Sequence, residues 1–154
     1  MDSPELVADR RGVSTAIGYV LTLSIATLLI GGLLVGLGSF VDDQRTGTAR
    51  DELRVIGQQV AADLAAADRL ARIGSPTEVR VHRQLPDSVT GAGYLVEIDD
   101  GSPVRIVLRT ESPEVVVEMA VHLGTPVGDT TVRGGDLVVR LDTTPSNELV
   151  IDSA

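Results

Sequence analysis

Hydrophobic positions along this chain follow three rhythms in succession. From Val13 to Val41 there are twenty-nine residues without a charge, and apolar side chains fall on every face. From Asp42 to Ile73 they thin to one stripe: Ala49, Leu53, Ile56, Val60, Leu64, Ala67 and Ala71. Steps of three and four residues are the repeat of one helix face. Gly74, Ser75 and Pro76 then close the helical pattern with the usual Gly-then-Pro punctuation. Thr46-Gly47-Thr48 is the expected place for a kink or short break, since Gly and Thr are poor interior helix residues.

Beyond Pro76 the period drops to two. Val79 and Val81 start the alternation, followed by Tyr94, Val96 and Ile98, then Val104, Ile106 and Leu108. Val115 through Leu123, Leu137 through Leu141 and a short Leu149 to Ile151 complete six predicted strands. The stretches between them ("GAG", "DDGSP", "ESP", "GTPVGD", "RGG", "TTPSN") are turn chemistry, and "DDGSP" reads as a tight hairpin. Strands with one apolar face build an antiparallel sheet or small sandwich. Leu95, Val107, Val116 and Val138 add apolar side chains to the second face, which implies partial cover by the helix or by a second sheet. The predicted fold class is α+β: a long transmembrane helix continuing into an amphipathic helix, then a small antiparallel β domain. The helical stripe is expected to pack on the protein's own globular part. Its many alanines argue against a coiled coil between chains.

Length decides what the uncharged run is for. Twenty-nine helical residues span roughly 44 Å against a hydrocarbon layer of about 30 Å. A core helix would need apolar protein on all sides, which 154 residues do not supply. Arg10 and Arg11 precede the run and Asp42 and Asp43 follow it, so the amino terminus is expected inside and the remainder outside. A secretory signal has about 7–15 apolar residues and an A-x-A-like cut. This run is twice that length and no such cut follows it. Within the run, Gly32 and Gly36 form a small-xxx-small pair for close helix approach, with Ser24 and Thr27 as polar handles. The expected layout is a leader over 1–12, an apolar helix over 13–41, an amphipathic helix over 42–73 and a β domain over 74–154.

Composition narrows the chemistry. There is no cysteine, which excludes disulfides, thiolate metal sites and thiol nucleophiles. The formal charge is -9, a poor match for nucleic acid. All thirteen basic residues are arginine, set against fourteen aspartates, and there is no lysine; this resembles the high-salt surfaces of proteins from salt-loving archaea. His82 and His122 fall on predicted polar faces with no acid at metal-ligand spacing, and neither Asp99-Asp100 nor Asp42-Asp43 has a calcium-loop pattern. No nucleophile elbow, phosphate loop or zinc-protease motif is present. The expectation is no enzyme, no metal and no cofactor. The lone asparagine, Asn147, is not in a glycosylation motif.

The junction "RRGVSTAIGYVLTLSIATLL" resembles the class III signal of archaeal type IV pilin-like proteins. That resemblance implies a dedicated prepilin peptidase cutting between Gly12 and Val13, with Arg11 as the basic residue before the cut. It also implies an apolar helix that first anchors the precursor in membrane lipid and later packs against like subunits. Bacterial pilins carry a glutamate as the fifth mature residue; here that position is Ile17, as archaeal members commonly lack the acid. The rival reading is a single-span surface protein that keeps residues 1–12 and never polymerises, as a binding module or stator-like accessory.

Overall fold

The computed structural model describes residues 5–74, 76, 78–144 and 147–154, with side chains from Val13 onward. Helix α1 (Glu5–Arg72) is followed by strands β1 (Arg80–Arg83), β2 (Tyr94–Asp99), β3 (Val104–Glu111), β4 (Glu114–Val121), β5 (Thr130–Arg133), β6 (Leu137–Asp142) and β7 (Glu148–Ser153). The architecture is α+β, one long helix followed by antiparallel sheets. Two compact units divide the chain, one up to Asp43 and one from Gln44 to Ala154.

Helix α1 differs from expectation in two respects. It begins at Glu5, so the stretch expected as a separate leader is already helical up to Val13, and it runs through Thr46-Gly47-Thr48 without a break. An interior glycine costs about 1 kcal/mol relative to alanine. The turn that follows buries Ala49 and Leu53, and such burial readily outweighs that cost. The helix stops where the sequence says it should. Gly74 takes a left-handed φ of 73°, the conformation a helix-ending glycine adopts freely.

In the second unit the strands form two sheets, ordered β4-β3-β2-β5 and β1-β6-β7. The "DDGSP" hairpin is present, with Asp99 opposite Arg105 at its mouth. Ser112-Pro113 turns β3 into β4, closing on the pair Glu111 and Glu114. Seven strands stand where six were predicted among the described residues. The extra one, β5, pairs with β2 through Val132 opposite Val96. Its sequence, Thr-Thr-Val-Arg, carries one apolar residue and gives no alternation to read.

The core joins the helix stripe to both sheets. Ala49, Leu53, Ile56, Val60, Leu64 and Ala67 are buried, as the stripe requires, together with Val96, Ile106, Leu108, Leu149 and Ile151. Each fully buried Leu or Ile contributes roughly 1.5–3 kcal/mol. Gly57 marks a close approach of helix to sheet. A Cβ there would overlap Met119 Cε and stand 2.8 Å from Leu108 Cδ1. Cover of the second sheet face is partial: Val138 is buried and Leu95 and Val107 are half-buried, whereas Val116 is exposed.

Two acids on α1 are buried: Asp68 and Asp63 are each 4% exposed. Both are tolerated because each is paired. Asp63 takes a two-point contact from Arg83 at 2.5 and 2.7 Å. Asp68 accepts the amides of Gly124 and Thr125 at 3.1 and 2.8 Å and pairs with Arg72 at 2.7 Å. Buried carboxylates thus fasten the helix to β1 and to the segment after β4.

Candidate functional site

Helix formation from Val13 to Val41 follows from a run of Leu, Ile, Val and Ala with no proline. Every one of these side chains is exposed within the chain, including Leu21, Leu28, Leu33, Val35 and Phe40. It is long and apolar enough to cross a membrane once. An exposed apolar surface on this scale is a binding surface for lipid or for protein, since neither water nor the chain itself satisfies it.

Four hydroxyls in this segment are satisfied within the helix itself. Thr22 donates to the Gly18 carbonyl at 2.9 Å, Ser24 to Val20 at 2.8 Å, Thr27 to Leu23 at 2.8 Å and Ser39 to Gly36 at 3.0 Å. Such back-bonding lets a hydroxyl sit in an apolar setting without an outside partner. Ser24 and Thr27, expected as handles toward neighbouring helices, therefore serve their own helix first. A Cβ at Gly32 or Gly36 would meet nothing within 4 Å, so both backbones stand open to a close neighbour. At the junction where the resemblance places a cut, the side chain of Arg11 and the surroundings of Gly12 lie outside the described residues; Val13, the first side chain described, is exposed.

The second unit holds the remaining chemistry. His82 and His122 are both exposed. Asp99, Asp100 and Asp129 bring ligand oxygens within 4.8 Å of one another, the one such acidic group among the described residues. The Asp99-Asp100 turn was legible in the sequence, but Asp129 arrives from before β5, a strand the alternation did not reveal. Two of these carboxylates already have partners: Asp129 accepts the Asp100 amide at 2.7 Å, and Asp99 accepts the Gly101 amide at 3.0 Å and pairs with Arg105. Arg105 is the main cause holding the Asp99 carboxyl below its usual pKa.

Tyr94 lines an open cleft of about 560 Å³ with Asp87, Arg109 and Arg133. Its ring packs against Gly134, where a Cβ would overlap it. The hydroxyl is buried without a hydrogen-bond partner among the described residues. Burial raises its pKa; the Gly135 amide pulls the other way without completing a hydrogen bond.

Set against known proteins, the chain belongs to a family of unknown function, DUF7266, whose pattern matches residues 8–152. No curated protein and no solved structure matches it.

Proposed function

We propose that this chain is a pilin-like structural subunit of a cell-surface filament, made as a membrane-anchored precursor. The carrying observation is the uncharged, wholly exposed helix from Val13 to Val41, which begins directly behind Arg11-Gly12. In this reading Gly12–Val13 is cut by a prepilin peptidase on the cytoplasmic side, and the second unit is displayed outside. The helix then leaves lipid for a bundle of like helices. That transfer keeps its apolar surface out of water throughout. The absence of any charge in the run supports both settings, because a charge would be costly in either. The subunit is non-enzymatic, without cofactor or nucleic-acid partner. Its lysine-free, aspartate-rich surface suits a salt-loving archaeal host.

Intact mass of the protein recovered from host membranes and surface material tests this directly. A chain beginning at Val13 is expected, and Gly12→Val should block the cut. Recovery of the chain with residues 1–12 attached would overturn the proposal in favour of a single-span anchor.

A further inference from the structure

Among the described residues the two sheets end in four outer strands: β4 and β5 on one, β1 and β7 on the other. Three of these edges are protected. β1 and β5 are four residues each, and β1 reads Arg-Val-His-Arg. β7 is closed by a passing segment: the Gly128 amide donates to the Leu149 carbonyl at 2.9 Å, and the Leu149 amide to the Pro126 carbonyl at 2.8 Å. Short, charged or covered edges discourage further pairing.

β4 has none of these devices. It is eight residues long, Glu-Val-Val-Val-Glu-Met-Ala-Val, and pairs with β3 at every position without a bulge. No strand lies on its other side. In an antiparallel ladder alternate residues turn their N–H and C=O away from the partner strand. Along β4 those groups face outward with no backbone partner among the described residues.

An open groove of about 410 Å³ has Val116 to Met119 as one wall and Arg50, Arg54 and Gln58 of α1 as the other. It holds no residue of β3, so it follows the free side of β4. Steps of four keep the three helix residues on one side of α1 over about 12 Å, the reach of about four strand residues. Arg50 and Gln58 are exposed, and neither side chain has a hydrogen bond or ion pair among the described residues. Arg54 holds only Asp51, at 3.3 Å, in a pair more than half exposed on both sides. Such a pair contributes little and yields readily to a competitor.

We propose that the β4 edge takes an added strand: an extended segment of a partner protein in which every second side chain is acidic. The free backbone groups of β4 provide affinity and the Arg50-Arg54-Gln58 row provides specificity, the usual division in strand addition. One set of incoming side chains shares the face of Val117 and Met119, where α1 lies, and acids there meet Arg50 and Arg54. The other set shares the face of Glu114, Val116 and Glu118. An acid is repelled on that face, whereas an apolar residue packs on Val116, which is 51% exposed. The other edges of this chain do not fit. A second β4 presents Val115, Val117, Met119 and Val121 toward α1, and β1 and β5 contain no acid at all. All of these would leave Arg50 and Arg54 without a counter-charge. The surface belongs wholly to the second unit, so it serves a filament subunit or a single-span anchor equally.

The test uses the full chain in detergent and a labelled eight-residue peptide alternating glutamate and valine, read by fluorescence anisotropy. Saturable binding is expected, and exchanging the peptide's glutamates for lysines should weaken it about tenfold. Arg50→Glu together with Arg54→Glu should reverse that preference in a chain whose circular dichroism is unchanged. Backbone pairing is read separately, with one peptide N-methylated at its valines and another at its glutamates. One of the two should lose binding and the other keep it, since only alternate N–H groups reach β4. Absence of binding, equal binding of the glutamate and lysine peptides, or equal behaviour of the two methylated peptides overturns the proposal. A dimer of the chain that forms in competition with the peptide, seen by light scattering, overturns it too, because a second copy then occupies the edge.

Discussion

The carboxylate of Asp68 accepts the Thr125 amide at 2.8 Å, across 57 residues of sequence. The same oxygen takes the Gly124 amide, and Arg72 occupies the other. Burial by itself would raise the pKa of this group. Hydrogen bonds from Thr125 and Gly124, with the Arg72 charge, outweigh burial and hold it below the ordinary aspartate value of 3.8. Asp68→Ala is expected to cost about 2 kcal/mol, because it leaves two amides without an acceptor. Thermal unfolding of the full chain in detergent reads this.

The same group sets a pH dependence. A folded-state pKa below the unfolded one means the contribution is complete above the unfolded value and is lost as pH falls through the folded one. Stability should therefore decline below about pH 4, the ordinary aspartate range, and decline less steeply in Asp68→Asn than in the parent. Parallel slopes for the two proteins would refute the assignment. Asp99 and Asp142 shift in the same direction, so the comparison with the parent is what isolates Asp68.

Gly57 is fixed by contact. Alanine at an ordinary interior helix position would be favoured by about 1 kcal/mol, yet here any side chain enters the space of Met119 and Leu108. Gly57→Val is expected to destabilise by about 2–3 kcal/mol through overpacking. Pairing it with Met119→Ala should recover part of the loss. Equal losses in the single and double variants would show that the crowding lies elsewhere.

Tyr94 makes the opposite prediction. Its hydroxyl is buried without a partner among the described residues, so Tyr94→Phe removes a desolvated polar group and leaves the ring against Gly134 in place. Stability should stay level or rise by up to about 1 kcal/mol. A loss of that size instead would reveal a hydrogen bond that the hydroxyl makes in solution.

Salt should stabilise the fold. Its ion pairs, such as Arg109–Glu97 and Arg140–Asp152, are largely exposed, and pairs of that kind contribute little. Self-repulsion from the net charge of -9 outweighs them. Raising ionic strength from about 0.1 M to about 1 M shortens the screening length from about 10 Å to about 3 Å and relieves that repulsion. A thermal midpoint that falls across this range would mean the ion pairs dominate.

What the sequence disclosed, and what it hid, divides along one line. The stripe from Ala49 to Ala67 and the hairpin at Asp99–Arg105 were legible because one buried face imposes its period on the residues that form it. Strand β5 was hidden because its pairing depends on β2, with Val132 alone bearing an apolar signature. Asp63 and Asp68 were hidden for a related reason. An acid is buried only when a partner meets it, and those partners, Arg83 and Thr125, sit 20 and 57 residues further on. Asp129 reached the Asp99-Asp100 turn in the same way. The apolar helix was the most legible feature, since its length needs no partner to be read.

The inward-turned hydroxyls of Thr22, Ser24, Thr27 and Ser39 have a consequence for reversibility. A side chain that has settled its hydrogen bond with its own backbone has nothing to renegotiate when its surroundings change from lipid to protein. Those four residues therefore set no toll in either direction. In the filament reading proposed above, these four hydroxyls would leave the transfer of the helix between membrane and assembly to packing rather than to hydrogen bonding.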